Sequence, residues 1–308
     1  MKAQIIPLTI KGKFIMPFII TTDTSCDAFK NDLDAKNIPW IPLTYTIDGI
    51  SNEDNFTKDA QYQAFYDKVK AGAMPTTSQI NQFNHEEFFN KVLDGGAKEI
   101  VHLTLSSGLS ETYNAAVLAA NAIMEQRNSV KVYIVDTLSA TQGHMAILDY
   151  GVELRDSGMS GADAAAKIAE FTQKVMHFFM VDDLHHLKRG GRVSAASALI
   201  GSLLKIKPIL TINNEGKLAV IKKAKGSAAA IKFFFEMIET YKEDKNGGTF
   251  YIVNGNAHDS VASLKEQLNE KYPSIAIKSG WVGPVIGAHT GSGIFGVAFL
   301  AKQRLIDK

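Results

Sequence analysis

The chain predicts an α/β protein of two domains. The N-terminal half reads as a Rossmann-like, mostly parallel sheet with helices, and the C-terminal half as an α/β domain with a mixed or antiparallel sheet. Three observations carry this. Short β-prone runs alternate with helical stretches through the first half, the pattern of βαβ units. Asn213-Asn214-Glu215-Gly216 marks a hairpin between two strand-like runs in the second half, which requires an antiparallel pair. The chain has 308 residues, 45% of them hydrophobic, more than one core usually takes.

In the first half, strands are expected at Phe18 to Asp23, Glu99 to Leu105 and Lys131 to Asp136. Helices are expected near Lys58–Ala71, His85–Leu93 and Ser110–Glu125, then Ser139 to Asp156 and Gly161 to Lys174. The strands end in Asp23-Thr24-Ser25, Ser106-Ser107-Gly108 and Asp136-Thr137. Ligands of open α/β sheets sit at the carboxyl ends of the strands, so these ends point to one shared crevice. In the second half, strands are expected at His177 to Val181, Pro208 to Ile212, Leu218 to Lys222, Phe250 to Val253, Ile275 to Lys278 and Gly296 to Leu300. Helices are expected at Ala195–Lys205, Ser227–Tyr241 and Asp259–Tyr272. The boundary is placed near Met159, giving domains 1–159 and 160–308.

The bulk numbers narrow the function. A net charge of +1 gives no footprint for nucleic acid or an anionic membrane. A single cysteine, Cys26, excludes an internal disulfide framework and fits a reducing cytoplasm. The apolar start, Met1 to Ile20, is interrupted by lysines and prolines and lacks a small-residue cleavage site, so it does not read as a signal peptide. No run approaches the ~20 apolar residues of a membrane helix.

Val101 to Ser110 is the most pointed segment. An apolar strand runs into Ser106-Ser107-Gly108 and opens onto an Ala-rich helix, so hydroxyls and free N–H groups meet the positive end of a helix dipole. That arrangement holds an anion. Met74 to Gln79 reads either as a plain turn or as a second set of donors, led by Thr77, for the same anion. Gly280 to Gly293 is dense in glycine and carries His289, which is equally open to a structural role and to pairing with a carboxylate or phosphate. Gly291 to Gly296 spells GxGxxG, but the run after it reads as a strand, which argues against dinucleotide binding. Asp182 to His186 has no metal-ligand spacing and reads as a solvated helix. Lys188, Arg189 and Arg192 form a local basic patch, either a solvated face or a dock for an acidic partner or a phosphate. Cys26 reads as a small packed residue. No GxSxG, P-loop or HExxH occurs.

Taken in order, several segments resemble the DegV family of bacterial fatty-acid-binding proteins. They are Thr22 to Asp27, Ile41-Pro42-Leu43 with Ile47-Asp48-Gly49, Pro75 to Gln79, Leu105 to Ser110, Leu187 to Ser194 and Gly283 to Gly291. The resemblance implies one long-chain fatty acid in a tunnel between the two domains and no other cofactor. It implies that Thr77, Ser78, Ser106, Ser107, Gly108, His289 and Thr290 surround the carboxylate, and that Arg192, with Lys188 and Arg189, faces a partner. In the fatty acid kinase system that partner is an ATP-dependent kinase, which phosphorylates the acid for phospholipid synthesis. The carrier itself is then not a catalyst, is cytoplasmic, and has at most transient membrane contact. The chain departs from the family pattern at Thr24, where Ser is usual, and at Glu111, where Gly is usual. His185 and His186 replace the common Glu and Tyr, and the first dozen residues form an extension.

Simple energetics agree with holding. A buried methylene contributes ~0.8 kcal/mol, so about sixteen carbons offer on the order of 10 kcal/mol before ordering costs. A charge-assisted hydrogen bond nets about 1.5–3 kcal/mol. The tail sets affinity and the hydroxyls set orientation. Phe178, Phe179, Met180, Ile200, Leu203, Leu204, Ile206, Ile209 and Leu210 could line such a tunnel, or simply form core. The competing reading is a hydrolase or acyltransferase using Ser107 with His289. A third is a ligand sensor whose basic patch binds a partner protein.

Overall fold

The computed structural model describes residues 17–182, 184–193 and 207–304, with the backbone of a small N-terminal hairpin, β1 (Thr9–Ile10) and β2 (Lys13–Phe14). The expected helix Ala195–Lys205 lies outside these residues.

The first half runs β3 (Ile19–Asp23), a 3-10 turn at Thr24–Cys26, α1 (Lys30–Ala35) and β4 (Trp40–Ile41). It continues with β5 (Thr44–Ile47), β6 (Ile50–Glu53), α2 (Asp59–Lys70), β7 (Thr76–Ser78) and α3 (Gln82–Asp94). Then follow β8 (Glu99–Thr104), α4 (Thr112–Gln126), β9 (Lys131–Asp136), α5 (Thr141–Asp156) and α6 (Gly161–Thr172). Strands β4-β3-β8-β9 form a wholly parallel sheet in that order. β3 and β8 are buried on both faces, so Thr21, Thr22, Asp23, His102 and Thr104 are buried together with the apolar residues of these strands.

The second half runs β10 (Val175–Met180), α7 (His185–Arg189), β11 (Lys207–Ile212), β12 (Leu218–Ala224) and α8 (Ser227–Tyr241). It ends with β13 (Thr249–Gly255), α9 (His258–Lys271), β14 (Ala276–Trp281), α10 (Pro284–Thr290) and β15 (Ile294–Leu300). These six strands form one mixed sheet, β12-β11-β10-β15-β13-β14, parallel only between β13 and β14. The hairpin expected at Asn213–Gly216 joins β11 to β12.

The sequence reading does not include α1, β4, β5, β6 or α10, and two further differences have a local cause. Met74 to Gln79 is more than a loop: Thr76–Ser78 pairs antiparallel with β5, which also pairs with β6, making a separate three-stranded sheet. Strands of three or four residues beside Pro75 and Gly49 leave too few alternations for a period-2 pattern to show. The helix expected from Ser139 starts at Thr141, because Leu138 holds a positive φ of 47° and Ala140 is extended at φ −150°, ψ 167°.

The core is continuous across the halves. α5 packs Ile147 and Leu148 with Ile20 and Val135, and turns Ala146 to Tyr251 and Ala298 of the mixed sheet. α6 follows Met159 in sequence, yet Ala164 and Ile168 join the core beneath the parallel sheet. No helix among the described residues is long and apolar enough to cross a membrane.

Candidate functional site

An apolar slot lies between the three-stranded sheet and the carboxyl end of β8 on one side, and the mixed sheet with α10 on the other. Leu43, Leu105 and Leu109 line it from the first half; Phe179, Val253, Val285 and Ile294 line it from the second. The slot itself is narrow, about 80 Å³, and opens into about 850 Å³ of free space when its mouth is counted. Its wall is largely aliphatic, with few polar groups, the usual make-up of a small-molecule site.

Those polar groups come from short elements. β7 places Thr77 opposite Tyr45, and α10 ends on His289 and Thr290. Pro284 opens α10 with its φ already set, and Gly291, at φ 72°, ends it in a backbone form open to glycine. Thr77 Oγ1 and His289 Nε2 meet at 2.8 Å, linking the two halves of the chain across the slot. Gly190 closes over the other edge of the ring: a Cβ there would stand 2.1 Å from His289 Nδ1, so a larger residue cannot fit without moving the imidazole. That Nδ1 is buried without a hydrogen-bond partner.

Burial, with the Arg192 and Arg189 charges and His186 nearby, pushes the His289 imidazole down to about 4. Near neutral pH it is therefore uncharged and offers a hydrogen bond rather than a charge. The positive charge of the mouth is supplied by arginine. Arg192 lines the slot and donates from Nε to Leu109 O at 3.2 Å and from Nη1 to Gly190 O. Arg189 Nη2 donates to Pro75 O at 3.1 Å and to Ala288 O at 3.4 Å. Lys188 is exposed on the same short helix, α7.

The structure thus gathers Thr77, Ser78, His289, Thr290 and Arg192 on one cavity. Ser106, Ser107 and Gly108 are not part of its lining. Ser106 Oγ donates to Gly216 O at 2.8 Å and accepts from Gly108 N–H at 3.2 Å. Ser107 N–H donates to Asp136 Oδ1 at 3.1 Å. A Cβ on Gly108 would stand 2.5 Å from the backbone of Gly216, so this turn needs glycine to receive the β11–β12 hairpin. Thr290 Oγ1 donates back to Ile286 O at 3.2 Å.

Four polar lining residues carry no assigned role in the sequence reading: Gln79, Ser110, Thr141 and His177. Ser110 accepts from Thr112 N–H at 3.3 Å and shares a hydroxyl contact with Thr112 Oγ1 at 2.9 Å, at the N-terminus of α4. The available signal was its position: it stands nearer the helix start than Ser106 or Ser107, where the dipole and free N–H groups lie.

Of the proposed tunnel residues, Phe178 and Phe179 both line the slot; Phe179 belongs to the core around it, whereas Phe178 also packs with Met180 and Ile209 in the core on the opposite face of the mixed sheet. Strand alternation imposes that split. Leu210 joins the core around the slot; Ile200, Leu203, Leu204 and Ile206 lie outside the described residues. Cys26 is buried, and burial pushes its thiol up to about 11, an inert environment. No group of three or more His, Cys, Asp or Glu able to hold a metal occurs among the described residues. Gly291 to Gly296 leads into β15, a strand, as expected for a segment that is no dinucleotide fingerprint.

A family model described as "Uncharacterised protein, DegV family COG1307" matches residues 17–302. A DegV domain-containing protein of Clostridium perfringens is 36% identical over 287 residues, covering 93% of this chain and 98% of that protein. A solved DegV family protein from Thermus thermophilus, reported for its fatty acid binding, superposes with a TM-score of 0.82 at 28% identity, over 92% of this chain and 99% of that one. The Fatty Acid Kinase (Fak) B3 protein from Streptococcus pneumoniae, loaded with linoleic acid, shares the fold with a TM-score of 0.77 at 20% identity, over 91% and 98%.

Proposed function

The chain belongs to the DegV family, and on that premise we propose that it holds one long-chain fatty acid in the slot, with the carboxylate at the Thr77–His289 pair, and presents that carboxylate to a separate ATP-dependent fatty acid kinase. The single observation that carries this is the slot's division of labour. Its walls are aliphatic and its mouth has one hydroxyl–imidazole contact, framed by Ser110 and Arg192. A long acyl tail gains most from such walls, and an anionic head gains most from such a mouth. Loading must part the walls, because the slot is narrow. The fatty acid binding of the Thermus relative supports the ligand, and the fold shared with the Streptococcus kinase-system protein is consistent with a kinase partner.

In this reading Arg192 has one side toward the slot and one toward solvent, where a kinase would reach the head group. A serine hydrolase using Ser107 would need its hydroxyl on His289 and an acid behind the ring. Instead Nε2 is engaged by Thr77 and Nδ1 has no partner. Native mass spectrometry of the purified protein is expected to show one bound acid of about fourteen to eighteen carbons, the length the family resemblance implies. Arg192→Ala is expected to retain the acid and slow its phosphorylation by a purified fatty acid kinase. A ligand-free protein that takes up no acid from lipid would refute the binding role. Unchanged phosphorylation in Arg192→Ala would refute the role of that residue.

A further inference from the structure

β9 ends the parallel sheet, and no described strand pairs with its free side. A groove of about 580 Å³ runs along that side, floored by Val132 to Asp136 and walled by α4 and α6. Ala120, Ala165 and Ala169 line the walls, small residues that leave room for a backbone. On the inner side, Lys131 N–H bonds Lys98 O and Thr137 N–H bonds Thr104 O. Strand alternation therefore turns the N–H and C=O groups of Val132 and Ile134 into the groove. Val132 is only 4% exposed, and buried backbone groups call for partners.

The N-terminal hairpin supplies candidates. β1 and β2 pair with each other and with no other described strand, and a lone two-stranded hairpin is marginal in water. Its register, Ile10 opposite Lys13 and Thr9 opposite Phe14, directs the N–H and C=O of Phe14 outward. The chain then enters β3 beside the groove: Phe18 and Tyr133 of β9 both crowd the spot where a Cβ on Gly161, the first residue of α6, would stand. A strand added to β9 would lie about 14 Å from β3. The five residues from Phe14 to Ile19 reach about 17 Å, so the connection is long enough.

We propose that the N-terminal hairpin covers this groove, with β2 adding antiparallel to β9 as a fifth strand of the first sheet. The direction follows from connectivity: the chain must run toward the start of β3, and β3 is parallel to β9 through β8. This assigns a task to the extension that precedes the family-matched residues 17–302. Residue-resolved hydrogen exchange on the full chain tests it. The amides of Val132 and Ile134 are expected to exchange slowly, independently of protein concentration. Phe14→Pro should accelerate both at least tenfold and leave Tyr133 and Val135, whose N–H groups face β8, unchanged. Fast exchange at Val132 and Ile134 in the unaltered chain would overturn the proposal. So would protection that rises with concentration alongside a dimer in light scattering, which would put a second copy on the edge. Indifference to Phe14→Pro would overturn it as well.

Discussion

The network beneath β3 and the mouth of the slot are built from the same chemistry, and they differ in what it is connected to. Under β3, Asp23 accepts from Ser25 N–H at 2.9 Å, from Ser25 Oγ at 2.5 Å and from Leu105 N–H at 2.6 Å. His144 touches Ser25 Oγ and Thr22 Oγ1, each at 3.1 Å. Acid, hydroxyl and imidazole are all in contact, the residue set of a hydrolase, yet Thr22, Asp23, Ser25 and His144 are 0% exposed. Both His144 nitrogens are engaged. The hydroxyl, not the imidazole, sits next to the carboxylate, which is not the order that activates a nucleophile. At the mouth, His289 meets Thr77 through one nitrogen and leaves the other unpaired beneath Gly190, and both Thr77 and His289 line a cavity. The first region is finished as it stands and holds the fold. The second borders open space, which is what a ligand site needs.

Acid should stress both regions, the second through His289, which burial and the Arg192 and Arg189 charges push down to about 4. Burial pushes His144 down to about 4, holds His102 and His177 well below their ordinary value, and lowers His85. An imidazole whose folded value lies below its unfolded 6.5 binds protons better when the chain is unfolded. Its stabilising contribution is therefore lost as pH falls from about 6.5 toward 4. For His144 alone that loss is on the order of 3 kcal/mol. Asp27 and Asp54 act in the opposite sense. Burial raises both carboxyls, and Asp54 raises Asp27 further, so their contribution is present at low pH and lost as pH rises. The histidines outnumber them, and urea midpoints are expected to fall steadily between pH 6.5 and 4.5. A midpoint that rises on acidification would mean that the carboxyl pair dominates.

Single substitutions separate the two regions more sharply. His144→Ala leaves the Thr22 and Ser25 hydroxyls short of a partner inside the core and should cost roughly 2–4 kcal/mol of stability. The folded fraction should still carry its acid. Thr77→Ala, at a half-buried site, should leave the urea midpoint nearly unchanged and weaken retention of the acid about tenfold or more, the value of a hydrogen bond to a charged group. If Thr77→Ala unfolds the protein and His144→Ala empties the slot, the assignment of the two regions is inverted.

The sequence reading reached the fold through residues whose neighbours along the chain decide their state. Ile19–Asp23, Glu99–Thr104 and Lys131–Asp136 are short β-prone runs with polar or turn residues at their ends, and Asn213 to Gly216 can hardly be anything but a turn. β7 stayed hidden because its pairing depends on β5, about thirty residues away. The site was legible by type and not by register. Thr77 and His289 stand 212 positions apart, and no local pattern says that they touch. Phe178 and Phe179 look alike in sequence, yet they join the cores on opposite sides of the mixed sheet.

The Ser106 to Ser110 turn gives the finest version of the comparison, since it contains both kinds of hydroxyl within five residues. Ser106 is built into the fold: its Oγ donates to Gly216 O, and a Cβ on Gly216 would stand 2.1 Å from that oxygen, so hairpin and serine fit only as a pair. Ser107 contributes its backbone N–H, donated to the Asp136 carboxylate that also accepts from Leu138 N–H. Removing its hydroxyl leaves that bond in place. Ser110 alone of the three lines the slot. Ser106→Ala should therefore lower stability by roughly 1 kcal/mol with little effect on ligand. Ser107→Ala should change neither property, and Ser110→Ala should weaken retention a few-fold at unchanged stability. Mass spectrometry of retained acid beside urea midpoints reads all three. A loss of ligand in Ser107→Ala equal to that in Ser110→Ala would shift the carboxylate toward the strand end and away from the helix N-terminus.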